Sequence, residues 1–125
     1  MMIMKSSPTA ERGGMPSEEL LEAMGKYNEA LVKAGVLLDG AGLQPSSKGA
    51  RVRFAAGDPT VIDGPFTEAK EMIAGFWILQ VASLAEAIAW AKRCPFDPGI
   101  HYDGGDGEIE LRQLFEPEDF AHEHA

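Results

Sequence analysis

The order of two amphipathic helical segments, set among strand-like segments, constrains this chain more than any other feature. The first helical pattern begins at Ser17. Glu18 and Glu19 suit the positive end of a helix dipole, and Leu20, Met24, Tyr27 and Leu31 recur on one face. Glu22/Lys26 and Glu29/Lys33 are spaced to pair on the outer face, and Gly35 is placed to close the helix. The second pattern opens with Ser83-Leu84-Ala85-Glu86, a capping box in which serine and glutamate each satisfy a backbone N–H. Leu84, Ala87, Ile88 and Ala91 form its apolar face, Lys92 and Arg93 sit at its negative end, and Pro95 stops it.

The remaining segments read as strands. "MMIM" begins one, and "KSSPTAERGGMP" after it is a polar loop. "VLLDGAGLQP" is a strand with a bulge expected at its glycines. "ARVRFAAGDPTVIDG" reads as two strands joined at Ala56-Gly57-Asp58-Pro59, with Arg51 and Arg53 alternating with Val52 and Phe54. Phe76–Leu79 is continuously apolar, the mark of a central strand covered on both faces. "FDPGIHYDGGDG" is a loop and "EIELRQLF" a final alternating strand. This order predicts an α+β domain with a split β-α-β antiparallel sheet and both helices on one face. The other face then needs cover. In a chain of 125 residues a second copy related by a two-fold axis is the natural candidate, so a homodimer is expected.

Charge limits the partners. The net charge is −9, and residues 101–125 carry one arginine against eight acids. Nucleic-acid binding needs clustered Lys and Arg, so no direct nucleic-acid partner is expected. Lys48, Arg51 and Arg53 read as a solvated strand edge. No apolar run approaches the roughly 20 residues needed to cross a bilayer, and the N-terminus lacks the anatomy of a signal peptide. The expectation is a cytoplasmic protein without a membrane partner. It is divided into one domain over residues 1–116 and an acidic tail over 117–125.

Few residues carry chemistry. Cys94, the single cysteine, reads as a buried, inert thiol with no histidine near it in sequence to act as a base. His101, Asp103 and Asp106 resemble an oxygen-rich loop but miss the spacing of a calcium site, and His122 and His124 lie in the tail. No phosphate-binding loop or catalytic triad is legible, so no metal, cofactor or catalytic residue is assigned. The over-specified stretch is "VIDGPFTEAK". As a turn, Gly64 permits a sharp bend, Pro65 fixes φ, and Asp63 accepts hydrogen bonds from the N–H of Phe66 or Thr67. Phe66 then anchors the turn in the core, and a short helix runs through Glu68 and Lys70. As a site, Asp63, Glu68 and Lys70 face a cleft beside Tyr27 and Trp77, and these five with Phe66 are the candidate ligand-binding residues.

The blocks "AGVLLDGAGLQPSSKGARVRF", "VIDGPFTEAKEMIAGFWILQV", "EAIAWAKRCP" and "GEIELRQLF", in this order between about Ser17 and Phe115, resemble the YCII-related family, in particular its DGPF branch. The resemblance implies a ferredoxin-like fold and a dimer whose two sheets make an α+β barrel. Members of the YciI branch resemble small-molecule enzymes with a proposed His–Asp pair. Met24 stands about where that histidine falls, and Cys94-Pro95-Phe96 where a D-P-aromatic run falls, so the resemblance carries no catalytic pair onto this chain. It also implies an association with sigma factors of the extracytoplasmic-function type. The leading expectation is a dimeric barrel that binds a small molecule. The alternatives are a small-molecule enzyme using Asp63 or Glu68 as acid or base, and an interaction module serving a sigma factor.

Overall fold

The computed structural model describes residues 1–6, 8–11, 13, 17–66, 72–95 and 107–121. Strand β1 (Met2–Lys5) is followed by a short helix α1 (Pro8–Glu11) and the long helix α2 (Glu18–Lys33). Next come β2 (Leu37–Gly42), a 3-10 turn (Ser46–Lys48), and the strands β3 (Ala50–Ala55) and β4 (Asp58–Asp63). The described chain continues with β5 (Ile73–Leu79), α3 (Leu84–Lys92), β6 (Ile109–Leu111) and a short helix α4 (Pro117–Ala121). Four strands form an antiparallel sheet of order β2-β5-β1-β6, and β3 pairs with β4 in a separate two-stranded ribbon. With the ribbon set aside, the sequence β-α-β-β-α-β and this strand order are those of a ferredoxin-like α+β fold.

Local chemistry sets the helix ends. The Ser17 side chain accepts from the N–H of Leu20 and caps α2. At its far end Gly35 takes φ +73, its N–H donates to the Val32 carbonyl, and the Val36 N–H donates to the Leu31 carbonyl. Those two bonds are a Schellman motif, which only a residue at ease in the left-handed region closes without strain. The Ser83 side chain accepts from the N–H of Glu86, and Glu86 reaches back to the N–H of Ala82 rather than to that of Ser83.

The sheet register decides what each face carries. Met2 lies opposite Trp77 and Leu111, and Met4 opposite Gly75 and Ile109. These residues share the face covered by α2 and α3, where Met2, Met4, Tyr27, Leu31, Val36, Trp77 and Cys94 form the core cluster. Ile3 lies opposite Phe76 and Glu110 on the other face. There Ile3, Phe76 and Ile78 are only half-buried. Strand β5 is therefore central, as its sequence predicts, but the described helices cover only one of its faces.

Four further local expectations change. The turn between β3 and β4 is Ala56-Gly57 alone, with φ of +51 and +103, and Asp58 and Pro59 already belong to β4 opposite Ala55 and Phe54. A two-residue turn with positive φ at both positions matches the twist of the flanking strands. The bulge in β2 falls between Leu37 and Asp39 instead of at the glycines. Gly40 and Gly42 stay in the ladder opposite Trp77 and Gly75, and a Cβ at Gly40 would stand 3.0 Å from the Phe76 carbonyl oxygen. The loop after β1 contains helix α1, too short to show periodicity. Strand β6 stops at Leu111 because β1, its only strand partner among the described residues, spans four residues.

Candidate functional site

The Asp63–Phe66 turn is held by the 3-10 turn that precedes β3. The Phe66 N–H donates to the Ser46 hydroxyl oxygen at 3.0 Å, and the Gly64 N–H donates to the Gly49 carbonyl at 3.2 Å. Ser46 is itself fixed: its N–H donates to Glu11 Oε2 at 3.2 Å and its hydroxyl donates to Glu11 Oε1. The expected acceptor, Asp63, instead ends β4 opposite Ala50 and is exposed. A β position points its side chain away from the bend, whereas the Ser46 hydroxyl lies beneath it. The Gly64-Pro65 peptide is cis, and Gly64 does not have a positive φ. Glycine is required there for space: a Cβ would stand 1.8 Å from the Ser46 carbonyl oxygen.

Phe66 is half-buried and does not join the core cluster. Its ring lies under the Arg51 guanidinium, 3.8 Å from the ring centroid, a cation–π contact at the surface. The expectation that this ring anchors the turn in the core is thus corrected. Its backbone anchors the turn and its side chain packs on the ribbon. Glu68 and Lys70, with the helix expected through them, lie outside the described residues. So do His101, Asp103, Asp106, His122 and His124.

Tyr27 and Trp77 are core residues with satisfied polar tips. Their rings meet edge to face with centroids 5.8 Å apart. The Tyr27 hydroxyl donates to the Trp90 carbonyl at 2.7 Å, tying α2 to α3. Burial, with Cys94 nearby, pushes its pKa well above the usual tyrosine value, against a smaller opposing pull from Arg93. Cys94 is buried, and that burial pushes its thiol up to about 12. An inert thiol is what the sequence predicts. On the sheet face away from the core cluster, Glu110 sits below the usual carboxylate range because Arg112 and Lys5 contact it.

The Trp77 indole N–H donates to Asn28 Oδ1 at 2.8 Å. Around this bond lies a cavity of about 290 Å³ between α2 and strands β2 and β5. Met24 and Asn28 come from α2, Trp77 and Met4 from the sheet, and Gly40, Gly42 and Gly75 leave the strand backbones bare. A wider groove of about 700 Å³ runs past the end of β5 to the start of α3, with Leu38, Ile78, Val81, Leu84 and Leu114 on its walls and Arg112 beside it. Of the candidate residues, Trp77 lines the smaller cavity, Tyr27 packs behind it, and Asp63 and Phe66 line neither. Asn28 and Gly75 were not singled out by sequence reasoning, and Gly40 and Gly42 only as a bulge. Asn28 sits one turn after Met24 on the flank of the apolar stripe, and that position is the one signal that points to it.

A four-stranded antiparallel sheet of this order, with two helices on one face, defines a ferredoxin-like α+β domain. The chain belongs to the YCII-related domain family, whose model matches residues 1–101. It is also similar to an uncharacterized protein of Rhizobium meliloti (strain 1021), 37% identical over 75 residues. That match spans 60% of this chain and 60% of its relative's length. No helix among the described residues is long and apolar enough to cross a membrane.

Proposed function

We propose that this is a homodimeric, cytoplasmic small-molecule-binding protein of the DGPF branch, whose activity is binding and not turnover. The observation that carries the reading is the one-sided sheet. Helices cover the face of Met2, Met4 and Trp77, while among the described residues no helix joins Ile3, Phe76 and Ile78, half-buried on the opposite face, to the core. A second copy applied through that face closes an α+β barrel and buries these residues. Buried apolar area is the main favourable term in such an association. Of the six expected ligand-binding residues, Trp77 is proposed foremost because it walls a cavity, with Tyr27 packed behind it.

An acid–base role for Asp63 is disfavoured, since a general acid or base must reach a bound substrate and Asp63 lines neither cavity. A second reading, an interaction module for an extracytoplasmic-function sigma factor, draws on one feature. Phe54 on the ribbon and Phe115 before the acidic tail are 79% and 78% exposed. A thermal-shift screen against a small-molecule library tests the binding reading. A ligand at 100 times its Kd stabilises by roughly 2.7 kcal/mol, so a cluster of related stabilising compounds is expected. A screen with none, alongside stoichiometric capture of a sigma factor, favours the second reading.

A further inference from the structure

The cavity between α2 and the sheet is more specific than a packing defect. Its floor is made by Gly40, Gly42 and Gly75, three positions on the helix-covered face of two paired strands. Gly42 lies opposite Gly75, and Gly40 opposite Trp77. Two of the glycines are demanded by the sheet itself. A Cβ at Gly75 would lie 2.9 Å from the Ala41 carbonyl oxygen, and one at Gly40 3.3 Å from Trp77 Cδ1. Gly42 is different: a Cβ there meets nothing within 4 Å, and its φ lies outside the left-handed region. The strand therefore leaves space at Gly42 that its own backbone does not require.

The walls define what fits. Trp77 offers an indole and Met4 and Met24 offer thioethers, all polarizable groups that favour contact with an aromatic ring. The bare strand backbone beside Trp77 and Met4, facing Met24, makes a flat surface. Among the described lining residues, Asn28 supplies the one directional side-chain group besides the Trp77 indole N–H. An indole N–H only donates, so the amide oxygen of Asn28 faces Trp77 and its NH2 is turned elsewhere. Among the described residues that NH2 makes no hydrogen bond. A ligand completing the site must therefore offer an acceptor oxygen. The net charge of −9 favours a neutral acceptor over an anion. At about 290 Å³ the space lies at the small end of ligand pockets, roughly 300–1,000 Å³.

We infer that this Gly-floored cavity binds a small planar aromatic carbonyl compound, the ring held against Trp77 and Met24 and the carbonyl oxygen accepting from the Asn28 amide. The inference rests on the small-molecule reading above and gives it a place and a ligand class.

The test uses two probes of matched shape, acetophenone and ethylbenzene, titrated into 15N-labelled protein. Acetophenone should shift the Trp77 indole N–H and the Asn28 side-chain amide in a saturable way. It should bind about fivefold or more tightly than ethylbenzene, the scale of one net hydrogen bond. Gly42→Val fills the open space with a residue suited to strands and should weaken acetophenone by about tenfold or more. Asn28→Asp keeps the acceptor for Trp77 and removes the donor, so the ratio of acetophenone to ethylbenzene affinity should fall to about one. If Gly42→Val fails to fold, the Asn28→Asp comparison decides alone. Acetophenone shifts confined to the Leu84–Leu114 groove or to Phe66 overturn the assignment and leave small-molecule binding standing. Absence of saturable shifts, or an acetophenone preference that survives Asn28→Asp, also overturns it. Only an empty library screen sinks the broader reading.

Discussion

Gly64→Ala gives the sharpest mechanical test of the Asp63–Phe66 turn. The added Cβ would stand 1.8 Å from the Ser46 carbonyl oxygen and 2.6 Å from the carbonyl carbon. A carbon and a carbonyl oxygen in close non-bonded contact rest roughly 3.3–3.6 Å apart, so the two turns must separate by roughly 1.5 Å. Both contacts are backbone, and no side-chain rotation relieves them. Separation stretches the Phe66–Ser46 bond, now 3.0 Å, and the Gly64–Gly49 bond, now 3.2 Å. Two hydrogen bonds at about 0.5–1.5 kcal/mol each, with overpacking of about 1–3 kcal/mol, give a loss of about 3 kcal/mol. For a chain this size that lowers Tm by roughly 10 °C. Ser46→Ala should cost about 1 kcal/mol by removing the acceptor for Phe66. The double variant should lose less than the two single losses added, because both break the same bond. Thermal and urea unfolding of the three variants measure this. A Gly64→Ala protein within about 0.5 kcal/mol of the parent, the range of neutral surface changes, would falsify the steric account.

Asp63→Asn should change stability by less than about 0.5 kcal/mol, because Asp63 is exposed and Ser46, not Asp63, holds Phe66; a larger loss in the same unfolding assay would restore Asp63 as the turn's acceptor. Tyr27→Phe should cost about 0.5–1.5 kcal/mol in urea unfolding by removing the hydroxyl's hydrogen bond to the Trp90 carbonyl, which still accepts from the Arg93 N–H. Cys94, with its thiol raised to about 12 against an ordinary 9.0, keeps its proton in the folded protein at pH values where the unfolded chain loses it. Its contribution is thus complete below about pH 9 and is lost as pH rises toward 12. Cys94→Ala should flatten the alkaline fall in stability, and the native thiol should react with a disulfide reagent far more slowly than the unfolded one. Deleting residues 117–125 should lower Tm by less than about 5 °C, because Phe120 stacks on the exposed Phe115 at 5.1 Å and not on the core; a larger drop places Phe120 against the domain or a partner.

The parts of this fold legible in the sequence are those written in local chemistry. Ser17, Gly35, Ser83 and Glu86 mark helix ends because a cap is settled within about four residues. The alternation in β3 and β4, and the apolar run in β5, follow from a two-residue repeat. What the sequence does not display is joined across distance. Glu11 reaches Ser46 across 35 residues, and Ser46 reaches Phe66 across another 20. No local pattern marks Ser46, in a polar turn, as the support of a later turn. Gly64 illustrates the limit: its need for glycine is visible, but the cause is a carbonyl 18 positions earlier and not its own φ. Gly40 and Gly42 likewise suggest a bulge until their pairing with β5 places them beneath α2. The bond from Trp77 to Asn28, 49 residues apart, then turns an ordinary helical asparagine into the polar group of a cavity.

The central claim is that a second copy covers the sheet face carrying Ile3, Phe76 and Ile78. Static light scattering on the full chain at micromolar concentration tests it most directly. The account predicts a mass of twice 13.5 kDa, with Ile78→Glu shifting the population toward the single chain while far-ultraviolet circular dichroism stays unchanged. A parent protein of 13.5 kDa across that range would contradict it.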